Sequence, residues 1–130
     1  MNKNTIIVLI IIGIVILGAG FLVFYKKGDT VPEASGIVLF YGDGCSHCKN
    51  VEDFIVNNSV EEKVKFERKE VFNNTDNASL LLKTGELCKI SKEYIGGVPL
   101  LWDGPNKTCV FGDVDIIKFF QDKINLINNT

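Results

Sequence analysis

Ile37-Val38-Leu39-Phe40-Tyr41, then Gly42-Asp43-Gly44, then Cys45-Ser46-His47-Cys48: an apolar run, a turn and a cysteine pair follow one another directly. Five apolar residues in a row read as a central strand buried on both faces. The Gly-Asp-Gly that follows is turn chemistry. The next residues are amphipathic at helical spacing, with Val51, Phe54 and Ile55 on one side and Glu52 and Asp53 on another. The stretch therefore predicts strand, loop and a helix from about Ser46 to Asn57, with Cys45 at the helix N-terminus. Cysteines three apart lie on one side of that first turn, close enough to bond. The unpaired N–H groups and the dipole of a helix start stabilise an anion, so the Cys45 thiol should ionise more easily than a free one. His47 adds positive charge when protonated. The thiolate is the form that attacks disulfides, which makes a redox site the leading expectation. A Cys-x-x-Cys also suits half of a zinc site or an inert structural pair. A c-type haem site is disfavoured, because Lys49 stands where that motif needs His.

Working outward, residues 64–72 alternate. Val64, Phe66, Val71 and Phe72 are expected inward, and Lys65, Glu67 and Lys69 outward, as in a second strand. Asn73-Asn74-Thr75-Asp76 breaks the chain. Residues 78–83 and 86–94 read as one helix broken near Gly85, or as two short ones. Gly96-Gly97-Val98-Pro99 leads into Leu100-Leu101-Trp102, and a turn at Asp103-Gly104-Pro105-Asn106 leads into Thr108-Cys109-Val110-Phe111, together a hairpin. Asp113 is the expected N-cap of a last helix over about 114–125, whose apolar side is Ile116, Ile117, Phe119, Phe120 and Ile124.

In the other direction, residues 6–24 are uncharged and almost wholly apolar. At about 1.5 Å per residue such a helix reaches about 28 Å, close to a bilayer core. No small-x-small cleavage site follows at once, so the expectation is an uncleaved single-pass anchor over 1–27 rather than a signal peptide or a buried core helix. A polar linker over 28–35, with Pro32 to stop the helix, then joins a domain over 36–130. The α-amino group and Lys3 before the span and Lys26-Lys27 after it leave the positive-inside rule close to a tie, with a slight lean towards Lys26-Lys27 inside. The four cysteines in so small a chain point to an oxidising compartment. The orientation adopted puts the N-terminus in the cytoplasm and the cysteine-bearing domain on the extracytoplasmic side, held to membrane lipid by the N-terminal helix. The chain has 130 residues, 14 basic and 16 acidic. That balance argues against a nucleic-acid-binding surface, which would be basic.

The strand 37–41, the Cys45-Ser46-His47-Cys48 pair and Gly97-Val98-Pro99 opening a hairpin together resemble the thioredoxin superfamily, in its compact glutaredoxin-like form, over roughly 36–126. The resemblance implies an α/β fold of order β-α-β-α-β-β-α, with a central mixed sheet flanked by helices. It implies a cis peptide before Pro99, packed beside the cysteines, with Val98 and Pro99 presenting backbone to an extended substrate. It implies a thiol–disulfide oxidoreductase that needs no cofactor and no metal. Cys45 would be the nucleophile, Cys48 the resolving thiol and His47 the group that tunes the Cys45 thiolate. Its partners would be protein thiols or disulfides and an unidentified redox partner. The sequence departs from the family's pattern in lacking Trp before Cys45, and in having Leu39 where thioredoxins bury an acid. The His before the second cysteine suggests a more oxidising pair than in thioredoxin. Cys88 and Cys109 flank the Pro99 loop and are read either as a second disulfide or as two buried thiols. Two other functions stay in view. One is a zinc- or copper-binding module using Cys45, Cys48 and His47, Cys88 or Cys109, and the other is a non-catalytic partner-binding scaffold.

Overall fold

In the computed structural model, residues 36–129 are described, together with positions 2, 3, 5, 6, 11, 12 and 14. The expected anchor over 6–24 and the linker over 28–35 lie outside the described residues, apart from those few positions. Among the described residues no helix is long and apolar enough to cross a membrane.

Strand β1 (Ile37–Tyr41) is the centre of the molecule. Its first four residues are all buried, as a continuous apolar run demands when both faces of a strand are covered. It pairs parallel with β2 (Phe66–Glu70), Tyr41 lying opposite Glu70, and antiparallel with β3 (Leu100–Asp103), Phe40 lying opposite Leu100. β3 pairs antiparallel with β4 (Thr108–Phe111). The result is a mixed four-stranded sheet of order β2-β1-β3-β4. One edge strand, β2, carries Glu67, Arg68, Lys69 and Glu70, and such charge blunts an exposed edge.

Alternate residues of β1 feed two cores. Ile37 and Leu39 pack with Leu101 against Val51 and Ile55 of α1 (Ser46–Asn57) and Ile116 and Phe120 of α4 (Asp113–Asn128). Val38 and Phe40 pack with Leu100 and Trp102 against Leu81 of α3 (Thr75–Leu87). Helices thus cover both sheet faces. Burying each Leu, Ile or Phe side chain favours the folded state by about 1.5–3 kcal/mol, so this alternation holds the layers together.

Four features differ from the sequence expectation. A short helix, α2 (Val60–Lys63), follows α1, so the observed order is β-α-α-β-α-β-β-α. Ser59 makes the corner in a left-handed conformation, and Val60 anchors the new turn in the core. Phe72, expected inward, is 59 % exposed and lays its ring against Gly42, where a Cβ would come within 2.4 Å of it. α3 runs straight through Gly85, whose missing side chain admits Ile95; a Cβ there would meet Ile95 Cγ1 at 2.9 Å. The expected helix over 86–94 is absent. α3 ends instead in a Schellman motif, with Lys89 left-handed, Ile90 N–H bonded to Gly85 O and Lys89 N–H to Glu86 O, both at 3.0 Å. Finally, Gly112 is the N-cap of α4, and Asp113 is its first helical residue. Gly112 has φ +89°, a conformation open to glycine, which starts the helix one residue early and releases the Asp113 side chain from capping.

Candidate redox site

β1 delivers the chain to the site and Glu70 fixes its exit. Glu70, opposite Tyr41 on β2, accepts the N–H groups of Phe72 at 2.7 Å and Asn73 at 2.8 Å, and that of Asp43 at 3.4 Å. Burial pushes the Glu70 carboxyl up, but the N–H groups of Asn73, Phe72 and Asp43 outweigh it and hold the group below its ordinary value. Asp43-Gly44 turns the chain, Gly44 with φ +77°, and Cys45 N–H closes the turn on Gly42 O at 3.2 Å.

Cys45 is the N-cap of α1 in extended conformation, and its Sγ accepts the N–H of Cys48 at 3.2 Å. A sulfur thus takes the place usually held by a Ser or Asp oxygen. Cys45 and Cys48 are paired as a disulfide with their Cα atoms 5.2 Å apart. The two sulfurs are not equivalent. Cys45 is half-buried, while Cys48 is 6 % exposed on the stripe that continues through Val51 and Ile55 into the core. Beside the pair lies a cavity of about 580 Å³ bordered by Tyr41, Gly44, Cys45, Cys48, Lys49 and Arg68. Arg68 is not free there. It is ion-paired with Glu52 and stands over the Tyr41 ring.

The loop before β3 meets the pair from the other side. The Val98–Pro99 peptide bond is cis, Pro99 is buried, and Val98 O lies 3.9 Å from Cys45 Sγ. Pro99 O in turn accepts Gly112 N–H at 3.0 Å, tying this loop to the start of α4. Phe111, exposed beside Gly97, packs its ring near Tyr94, with centroids 6.2 Å apart.

His47, the one histidine of the chain, is exposed and carries its Nδ1 to 3.1 Å from Asp113 Oδ2. The same oxygen accepts a hydrogen bond from Asn50 Nδ2 at 2.6 Å. The bond from Asn50, then that from His47, holds the Asp113 carboxyl at about 2, against an ordinary 3.8. Asp113 and Asn50 are the site residues that the sequence reading missed. Helical spacing places His47 and Asn50 on one face of α1, three residues apart. Nothing local said that the first residue of a helix more than sixty positions on would face them, and the reading of Asp113 as a cap hid it.

Cys88 and Cys109 are joined by a second disulfide, Cα atoms 5.9 Å apart. It links the C-cap of α3 to β4 and packs against the core of the α3 face. That bond takes both cysteines away from Cys45, Cys48 and His47. Among the described residues no group of three or more His, Cys, Asp or Glu side chains is arranged to hold a metal ion.

No protein-family model matches the chain, and no curated protein matches it either.

Proposed function

We propose that the chain is a membrane-tethered thiol–disulfide oxidoreductase with a thioredoxin-like, glutaredoxin-like fold, exchanging disulfides with protein thiols through Cys45 and Cys48. The single observation that carries this reading is the asymmetry of the cysteine pair: the Cys45 sulfur caps a helix N-terminus at the edge of an open cavity, and Cys48 lies buried one turn behind it. A thiolate at Cys45 is favoured by the Cys48 N–H and the helix dipole. A substrate sulfur reaches Cys45, and Cys48 attacks the resulting mixed disulfide from inside. The sheet order, with β1 parallel to one neighbour and antiparallel to the other, and the cis Val98–Pro99 beside Cys45 support the family resemblance. Val98, with its carbonyl next to the sulfur, is the residue assigned to substrate backbone.

The test is trapping with a peptide that carries one disulfide. Reduced Cys48→Ala protein should accumulate a peptide mixed disulfide at Cys45, and Cys45→Ala protein should accumulate none. No adduct from Cys48→Ala, or equal loss of exchange from substituting any of the four cysteines, sinks the reading.

The apolar residues 6–24 support a single-pass anchor with the cysteine domain outside the cytoplasm. The chain should stay with membranes after a carbonate wash, and protease added outside spheroplasts should digest the domain. Release by carbonate refutes the anchor, and protection from protease reverses the orientation.

A further inference from the structure

We infer that Asp113 is a positioning residue: by accepting from His47 Nδ1 it leaves Nε2 as the nitrogen that takes and returns protons for the Cys45–Cys48 pair. The inference rests on the oxidoreductase reading above and deepens it. Three observations carry it. First, the carboxylate is anchored from two sides, Asn50 Nδ2 at 2.6 Å and His47 Nδ1 at 3.1 Å on the same oxygen. Second, an ionised carboxylate accepts and never donates, so Nδ1 carries a proton; in the neutral ring Nε2 is then the bare nitrogen. Third, the backbone holding Asp113 in place belongs to the site. Gly112 N–H is bonded to Pro99 O at 3.0 Å, and Val98 O touches Cys45 Sγ at 3.9 Å. β1 beneath the pair supplies only apolar side chains from Ile37 to Phe40, with Leu39 2 % exposed, so no acid reaches the pair from that strand.

The proton traffic balances as follows for a dithiol substrate. The first substrate thiol gives its proton to His47 Nε2, and the imidazolium so formed stands against the Asp113 carboxylate. The substrate thiolate attacks Cys45 Sγ. The Cys45–Cys48 bond breaks, and Cys48 leaves with the electron pair. The second substrate sulfur then displaces Cys45, closing the substrate disulfide. Two electrons have passed from substrate sulfurs to the cysteine pair. Of the two substrate protons, one ends on Cys48 and one on His47, and Cys45 is left as the thiolate. Reduction of a substrate disulfide is the same sequence reversed.

The sign of the effect separates this role from that of a bystander charge. Deleting a mere negative charge near Cys45 would favour its thiolate and speed alkylation. Deleting the group that holds His47 in place slows it. In the reduced full chain, the rate of Cys45 alkylation by iodoacetamide at pH 7, read by mass on the Cys45 peptide, should fall about tenfold in Asp113→Asn. His47→Ala should show the same fall, and Asp113→Asn added to His47→Ala should bring no further fall, the rate staying level or rising slightly as the negative charge is lost. Asn50→Ala, which keeps the charge but frees the carboxylate, should give a smaller fall and covers the case in which Asp113→Asn folds poorly. An unchanged or faster rate in Asp113→Asn, or an undiminished fall in the His47→Ala background, overturns the inference. A wild-type chain that shows the coupling but exchanges no disulfide with a dithiol peptide sinks the oxidoreductase reading alone. Exchange in the wild type with Asp113→Asn identical in alkylation sinks the inference alone.

Discussion

The two disulfides of this chain are the same bond in opposite settings. Cys45, Cys88 and Cys109 are all half-buried residues, so exposure alone does not separate the two bonds. Cys45–Cys48 spans three positions and sits where a helix begins, with a backbone N–H directed at one sulfur and a carboxylate, a histidine and a cavity nearby. Cys88–Cys109 spans 21 positions and sits where a helix ends, against Leu100, Trp102 and Leu81. A helix start offers donors that stabilise a thiolate, whereas a helix end offers carbonyls that oppose one. On the proposed function, the polar groups around the sulfur set reactivity, and the length of chain closed sets stabilisation.

The sharpest break of the comparison is a swap of losses. Replacing Cys45 and Cys48 by Ser should reduce disulfide exchange to background and cost the smaller part of the stability. Replacing Cys88 and Cys109 by Ala should keep exchange, measured well below the melting temperature, and lower stability instead. In the loop-entropy account the 21-residue closure contributes about 3 kcal/mol and the three-residue one about 2. The second figure is partly offset in the Ser variant, because Ser at position 45 is itself a favoured helix N-cap. Urea unfolding of the two double variants under non-reducing conditions reads the order. A Cys88/Cys109 variant as stable as the wild type, or one that loses exchange, would erase the distinction.

The Cys45–Cys48 half of this comparison was legible in the sequence because it is local. An apolar run, a Gly-Asp-Gly turn and a cysteine followed by an amphipathic stretch fix β1, the loop and α1, and the observed bounds of both elements are those the pattern gives. The hairpin after Pro99 was legible for the same reason. The structural half was less so. Residues 86–94 carry helical spacing, yet α3 stops at Leu87, because Lys89 accepts a left-handed conformation that composition does not announce, and because Cys88 is bonded across to β4. Phe72 obeys the strand alternation of 64–72 on paper, but the strand ends at Glu70, and past that point the alternation no longer sets direction. Asp113 is the instructive miss within the site. Its identity suited a cap, and only the tertiary placement of α4 against α1 shows that Gly112 caps and Asp113 faces His47.

The smallest effect expected is in acid, and it falls on the Cys45–Cys48 half. Asp113 and Glu70 both have folded-state values below their ordinary ones, Asp113 at about 2 against 3.8. Protons therefore bind the unfolded chain more readily than the folded one. The sign follows directly: the stability these carboxylates add is fully present above about pH 5, clear of the ordinary values 4.5 and 3.8, and is lost as pH falls through the folded values towards about 2. Both lie at the surface, where solvent screens them, so the loss is modest. The thermal midpoint of the wild type should decline between pH 5 and 2, and Asp113→Asn and Glu70→Gln should each decline less over that interval. Glu70 ties Asp43, Phe72 and Asn73 together, so its protonation should also loosen the loop leading to Cys45. Amide hydrogen exchange at Asp43, Phe72 and Asn73 should accordingly rise in Glu70→Gln, while the amides around Cys88 and Cys109 stay unchanged. Equal acceleration at both disulfides would mean that acid opens the domain as a whole, and that the cysteine loop has no separate carboxylate latch.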